Sequence, residues 1–256
     1  MGVLKVSLRD SMSRRRPPTS LSIVLPCFDE AAAIGGVVEA ALAAGRSVVG
    51  QLEVLVVDDG STDATAEAVE ALCAVHPEVR LLRHGTNRGY GAALRTGFAA
   101  ARHEHVFFTD GDGQFDLSDL PRLHELTMRY DVVSAYRRSR RDPWARVLNG
   151  LAWTLLTNVL LGADVRDVNC AFKLFPRKLL EEAELRSEGA LLSAELLSEA
   201  RRLGYSIGQL PVAHLPRRAG RATGADPAVI GRAFRELAEL VSRRVARAPV
   251  TVSTRA

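Results

Sequence analysis

An α/β domain built on a mostly parallel sheet is the fold class this sequence predicts. Two observations predict it: short β-branched or aliphatic runs alternate with longer helix-like segments, and acidic clusters recur where the runs stop. The first run is LSIVLP (residues 21–26), followed by the helix-like EAAAIGGVVEAALAA. EVLVVDD (53–59) reads as the second strand, and TDATAEAVEALCAV as a helix opened by a cap cluster at Ser61, Thr62 and Asp63. VRLLRH is a third strand, GYGAALRTGFAAAR a third helix and HVFFTD (105–110) a fourth strand. Strands this apolar on both faces need helices on both sides of the sheet.

The second half is less regular. DVVSAYR (131–137) reads as a strand, and WARVLNGLAWTLLTNVLLGAD as a helix with Trp144, Val147, Leu148, Leu151, Leu155 and Val159 at helical spacing. Its 17 uncharged residues between Arg146 and Asp164 fall short of the roughly 20 needed to span a bilayer. Asn149, Thr154, Thr157 and Asn158 also interrupt it, so a core or interface helix is expected. The Trp and Arg flank offers a bilayer-surface location as the alternative. CAFKLFPR follows as a strand or turn, LLSAELLSEARRLG as a helix closed by Gly204, and YSIGQLP as a strand. A basic, glycine-rich loop and a final helix complete the chain.

At 256 residues and 47% hydrophobic content, the chain can bury one full core. The domain is expected over residues 20–245, after a disordered basic leader (1–19) and before a flexible tail (246–256). The leader is polar and ends in Pro17-Pro18, unlike a signal peptide. Cys27, Cys73 and Cys170 lack any CxxC spacing, which argues against a disulfide framework or zinc site and fits a cytoplasmic setting. Arginines cluster at 14–16, at 137–146 and at 217–221, pointing to anionic partners. With 5% aromatic content and no aromatics interleaved among them, nucleic acid is excluded in favour of phosphate-bearing small molecules or an anionic membrane surface.

The strand ends carry the unusual chemistry: Pro26-Cys27-Phe28-Asp29-Glu30, Asp58-Asp59-Gly60-Ser61 and Asp110-Gly111-Asp112. In a parallel sheet those ends share one rim, where ligands bind. Acids there can also be helix caps, a role open to Asp29 and Asp63. Paired acids repel, and a bound cation removes that cost. Gly111 and Gly113 let the backbone turn both carboxylates toward one site, the arrangement Mg²⁺ prefers with ligand phosphates. DGDGQFDLSDL also approximates a calcium loop, but its first ligand position would be Phe108, which cannot coordinate. His103 and His105 lie at the opposite end of the strand and are read as solvent-facing or satisfied, and Cys27 as packing. No GxxxxGK[ST] triphosphate loop is present.

SIVLPCFDE, VLVVDDGSTDAT, NRGYGAALRTGF, DGDGQF and DVNCAFKLFPR together resemble family 2 glycosyltransferases, in the branch of dolichol-phosphate mannosyltransferases and bacterial polyprenyl-phosphate sugar transferases. The resemblance covers roughly residues 20–240. It implies a GT-A-like single domain with a Rossmann-like sheet, a DxD loop and C-terminal helices. It also implies that Pro26, Phe28 and Glu30 contact a nucleotide, that Val57 and Asp59 hold base and ribose, and that Asp110 and Asp112 bind Mg²⁺ or Mn²⁺. Gly111 and Gln114 would complete the nucleotide-sugar site, and Arg137 and Arg217 would clamp phosphates. The chain departs from the family at Asp29, at Asn169-Cys170-Ala171-Phe172-Lys173 and at Thr223, positions that bear on acceptor and sugar.

The implied reaction moves a hexose, with inversion, from a UDP- or GDP-sugar to a polyprenyl phosphate at the inner face of the cell membrane. Asp112 and Asp110 would hold the cation beside the leaving diphosphate, and Arg137, Arg146 and Arg217 the acceptor phosphate. Membrane contact would come from the arginines, the Trp144 helix or a membrane protein partner. Two alternatives stand beside it. One is transfer to a hydroxyl, for which Glu195 is the candidate base against the bland reading of a surface glutamate on an amphipathic helix. The other is a sugar-nucleotide-binding protein without catalysis, which retention of the whole residue set argues against.

Overall fold

The computed structural model describes residues 16–138, 144–217 and 227–247, with residues 144–146 and 245–247 described by backbone alone. Most of the expected leader and tail, and the arginines at 140, 141, 218 and 221, lie outside those residues, as does the side chain of Arg146. The strands are β1 (Ser20–Cys27), β2 (Gln51–Asp58), β3 (Val79–Arg83), β4 (His105–Thr109), β5 (Val132–Arg137), β6 (Phe172–Pro176) and β7 (Ile207–Val212). The helices are α1 (Ile34–Arg46), α2 (Thr65–Val75), α3 (Tyr90–Ala100), α4 (Leu120–Leu126), α5 (Trp144–Leu161), α6 (Lys178–Glu182), α7 (Leu192–Arg202) and α8 (Pro227–Arg247).

Seven strands form one sheet in the order β3-β2-β1-β4-β6-β5-β7. β1 pairs in parallel with β2 and β4, and β2 with β3, while β6 runs antiparallel between β4 and β5. β7 closes the far side parallel to β5. The chain leaves β1 toward β2 and β3, then returns to β4 on β1's other flank. This reversal opens a crevice beyond the carboxyl ends of β1 and β4.

Every residue of β1 is buried, which explains its aliphatic run. One exception to apolarity is handled locally: Ser22 donates to Glu53 at 2.7 Å, and Glu53 also accepts from Arg80 at 2.9 Å and the Arg102 amide at 2.7 Å. Few aromatics are present, but they are concentrated. Phe107 and Phe172 stack edge-on at 4.7 Å, Phe98 meets Phe175 at 5.5 Å, and Phe115 meets Phe172 at 5.6 Å. These contacts bind β4 to the reversed β6 and anchor the segment after the Asp110–Asp112 turn.

Two expectations are corrected. In α5, Leu148, Leu151, Leu155 and Val159 are exposed, whereas Thr154 and Thr157 face the protein. Trp153, Leu156 and Leu161 pack inward, so only the core placement of those four outward residues is corrected. Glu195, read in its bland form as a surface residue, is fully buried because residues 192–200 of α7 are all buried between its neighbours.

Gly97 sits where α3 crosses β1 and β2. A Cβ there would lie 2.3 Å from Val24 Cγ1 and 3.2 Å from Val57 Cγ2. Gly97→Ala is therefore expected to destabilise the protein by about 1–3 kcal/mol through overpacking. Urea unfolding checks this, and an unchanged midpoint would refute the close packing.

Candidate active site

The loops after β1 and β2 are stitched into one wall. Asp29 adopts a left-handed conformation (φ 53°), unusual outside glycine, and its Oδ1 accepts from the Thr62 amide at 2.7 Å. In return, the Asp29 amide donates to Ser61 Oγ at 2.9 Å and the Glu30 amide to Thr65 Oγ1 at 2.8 Å. Asp63 accepts from the Thr65 amide at 3.0 Å and the Ala31 amide at 3.1 Å. The cap cluster thus also fixes the approach to Glu30.

Asp59 is turned toward the third wall. Its oxygens accept from the amides of Arg88 at 2.9 Å and Gly89 at 2.8 Å and meet His84 Nδ1 at 2.6 Å. In this structure Asp59 positions the NRGYG loop. Val57 is fully buried against α3, so its side chain lies in the core rather than on the nucleotide surface expected of it. Pro26 is buried as well, with its carbonyl accepting from the Gly111 amide at 3.2 Å. Phe28 is half-buried just beyond it.

The acid pair lies directly behind. A Cβ on Gly111 would approach the Pro26 carbonyl to 3.0 Å and Cys27 Cβ to 3.1 Å, so glycine lets this turn lie flat on the end of β1. Asp112 Oδ1 accepts from the Gln114 amide at 3.0 Å. Tyr90 lies beside Asp110 and works to lower its carboxyl, but Asp110 Oδ1 is sealed from solvent without a hydrogen-bond partner. Burial, and then the charge of Asp112, push the Asp110 carboxyl up to about 7; burial also raises Asp112. Among the described residues, no cluster of three or more His, Cys, Asp or Glu could hold a metal by itself. Two carboxylates, one with an orphaned oxygen, fit a hard divalent cation whose remaining ligands come from phosphate and water.

A strap from the C-terminal half closes the front. The Leu215 amide donates to the Gln114 carbonyl at 2.8 Å, and Gln114 Nε2 to the Leu215 carbonyl at 3.2 Å. His214 stacks edge-on against Phe115 at 5.4 Å. The strap delivers Arg217, which bonds Glu30 and lies 3.6 Å from Asp112. Gln114 therefore fastens the strap in this structure.

Arg137, the last residue of β5, forks onto Asp167 at 2.7 and 2.9 Å, fixing the plane of its guanidinium. Behind Asp167, fully buried Lys173 donates to Ser193 Oγ and the Val168 carbonyl, each at 3.1 Å, and to the Cys170 carbonyl. Burial brings this lysine down to about 8. Glu195 accepts from the amides of Arg186 at 3.0 Å and Ser187 at 2.8 Å and pairs with Arg243 at 3.4 Å, so its carboxylate orders a loop from inside the fold. Cys27 is buried, and burial with nearby Asp58 pushes its thiol well above the usual range, consistent with packing. His105 departs from a satisfied role: its Nδ1 is buried without a partner, and burial lowers it to about 4. Tyr90, His84 and Asp167 were missed in the sequence reading. Only Tyr90 carried a signal, as the aromatic in the glycine loop.

The acid pair sets a testable pH dependence. Asp110 keeps its proton up to about pH 7 in the folded state, whereas an unfolded aspartate releases it near 3.9. The native state then binds more protons across pH 4–7, so this residue's contribution falls as pH rises and levels off above 7. Asp110→Asn is expected to stabilise the metal-free protein at pH 8 by something on the order of 1–3 kcal/mol, with the gain vanishing toward pH 4. Chemical denaturation across pH checks this; a gain independent of pH would contradict it.

The chain has known counterparts in sequence and in fold. The dodecaprenyl-phosphate galacturonate synthase of Rhizobium johnstonii is 30% identical over 232 residues, which is 87% of this chain and 65% of that protein. The undecaprenyl-phosphate 4-deoxy-4-formamido-L-arabinose transferase of Aeromonas hydrophila is 30% identical over 164 residues, 63% of this chain and 50% of the relative. The chain thus spans about half to two thirds of the length of these relatives. Glucosyl-3-phosphoglycerate synthase from Mycobacterium tuberculosis, solved with Mn²⁺, UDP and phosphoglyceric acid, superposes with a TM-score of 0.66 at 25% identity, covering 88% of this chain and 78% of that one. Its complex with phosphoglyceric acid alone gives a TM-score of 0.70 at 23% identity, covering 88% and 80%. The model of "Glycosyl transferase family 2" matches residues 22–183, more than half of the sequence and all of its acid-rich strand ends, and the chain belongs to that family.

Proposed function

We propose that this protein is an inverting hexosyltransferase that moves a sugar from a UDP- or GDP-sugar to the phosphate of a polyprenyl phosphate at the cytoplasmic face of a membrane. The observation that carries this reading is the raised, partly unpartnered Asp110–Asp112 pair lying within reach of Arg217. Polyprenyl and dolichyl phosphates in the names of several relatives support the acceptor class, and Mn²⁺ with UDP in the solved neighbour supports the donor and metal classes.

In the proposed site, Asp112 and Asp110 hold Mg²⁺ or Mn²⁺. When bound, that cation supplies positive charge to the departing diphosphate. An acceptor phosphate oxygen forms the new bond to the anomeric carbon as the bond to the nucleoside diphosphate breaks on the opposite side. Because that phosphate is already ionised at neutral pH, no proton has to be removed, and orientation is the main demand. Arg217 and Arg137 supply planar donor forks for phosphate oxygens, with Arg146 as a further candidate. Arg217 would exchange Glu30 and Asp112 for phosphate as the donor enters, while Asp167 keeps Arg137 aimed. Phe28, Glu30 and the Asp59-supported loop would receive the nucleotide.

Phosphoglyceric acid in the neighbour's complexes favours a second reading, transfer to a soluble hydroxyl acceptor. A hydroxyl needs a base, and Glu195, fully buried with its oxygens engaged, is poorly placed to act as one.

The test is radiolabel transfer from a panel of UDP- and GDP-sugars, with Mg²⁺ or Mn²⁺ and membranes supplying polyprenyl phosphate. Label should enter the lipid phase with the wild type. Asp112→Ala should lose at least about a hundredfold, and Arg217→Ala about ten- to a hundredfold. Sugar-nucleotide hydrolysis without lipid labelling would favour the soluble acceptor, and no turnover with any donor would favour a binding protein.

A further inference from the structure

α5 packs Trp153, Leu156 and Leu161 against the core and yet leaves a second set of apolar side chains on its outward face. Thr154 and Thr157 are buried, Thr157 Oγ1 donating to the Trp153 carbonyl at 2.9 Å, and Asn158 donates to the Val165 carbonyl at 2.8 Å, while Asn149 is exposed. Leu156 and Leu161 pack inward, but a further stripe of apolar side chains faces outward. Leu148, Leu151, Leu155 and Val159, spaced three, four and four residues apart, are 56%, 56%, 65% and 72% exposed. α8 extends the same apolar ground, because Phe234, 51% exposed, meets Trp153 edge-on at 5.3 Å, with Ile230 one turn earlier at 41% exposure. Isolated exposed leucines need no explanation, but a stripe along one helix continued onto a second marks an interaction surface.

The charge of the segment that leads into the stripe selects its occupant. Residues 137–161 carry five arginines against a single acid, Asp142, and no charge at all after Arg146. Arg138 is exposed at the end of β5. An isologous contact between two copies would bring this arginine-rich segment toward its own copy. A bilayer containing anionic lipid accepts both features, apolar side chains among its acyl chains and arginines among its headgroups. No described helix is long and apolar enough to cross a membrane, so the seat lies in the plane of the surface.

We infer that the outward faces of α5 and α8 form a seat for an anionic phospholipid bilayer. α5 is framed in sequence by Arg137 and Asp167, so a seated helix holds the phosphate-binding side of the crevice at headgroup level. That consequence rests on the lipid-phosphate reading of the site; the seat does not.

The test is flotation of the protein with vesicles of phosphatidylcholine alone or with about a third phosphatidylglycerol. Wild type should bind the anionic vesicles and detach in high salt. Leu151→Asp/Leu155→Asp should require at least about tenfold more lipid, with unchanged circular dichroism because both positions are exposed. Val75→Asp, at a 67% exposed apolar residue on α2, should bind as wild type. Absence of wild-type binding, or equal binding by the double variant, would overturn the seat. So would a wild-type dimer that the double variant dissociates without loss of vesicle binding. Transfer by wild type to a detergent-dispersed short-chain prenyl phosphate separates the two claims. Transfer without vesicle binding sinks the seat and leaves the reaction; vesicle binding without transfer supports the seat and counts against the reaction.

Discussion

The burial of two neighbouring carboxylates, Asp110 and Asp112, is the constraint on which the rest of the site depends. The core could have ended β4 with any polar pair, yet the turn places two carboxylates where burial raises both and leaves one oxygen without a partner. Such an arrangement is unfavourable in the protein alone and becomes favourable when a cation and a diphosphate share it. The neighbouring devices are intelligible from that demand. Gly111 lets the turn lie flat on β1, Tyr90 lies beside Asp110 and works against the rise of its carboxyl, and Arg217 brings a positive charge near Asp112.

Arg217 ties the two halves of the chain together. Its carboxylate partner Glu30 lies at the end of β1, and the strap carrying it is zipped to Gln114 on the segment following the acid pair. On the other flank, Asp167 holds Arg137, and buried Lys173 ties together the carbonyls of Val168 and Cys170 that follow Asp167 in the chain. The two arginines are therefore set by different supports. One rides on a loop fastened by a few hydrogen bonds, and the other on a strand end whose guanidinium is gripped at two points by Asp167. That difference suits one group that exchanges partners as ligand enters and one that stays aimed.

Much of the first half was legible in the sequence because its strands are buried on both faces, which leaves no choice but aliphatic runs, and because crossover helices of ordinary length carry the expected period. The antiparallel insertion of β6 was not legible, since strand order follows from contacts far apart in the chain. α4 and α6 are too short to show a period. In α5 the period was legible and its direction was not: spacing reveals a stripe, but whether leucines or threonines face the protein depends on what lies beneath, here the 165–168 segment that Asn158 and Thr154 bond. The acid-rich rim was legible as a set. Its partners, 25 residues apart for Asp59 with His84 and 187 apart for Glu30 with Arg217, were not.

The central claim is that the acid pair is built for a cation that shares its site with a diphosphate. Calorimetric titration of Mn²⁺ into the protein, with and without UDP or GDP, tests it most directly. Mn²⁺ should bind measurably tighter with the matching nucleotide present, and its affinity should fall as pH drops below about 7, where Asp110 takes up its proton. Mn²⁺ binding that neither nucleotide strengthens, or that persists unchanged in Asp112→Asn, would contradict it.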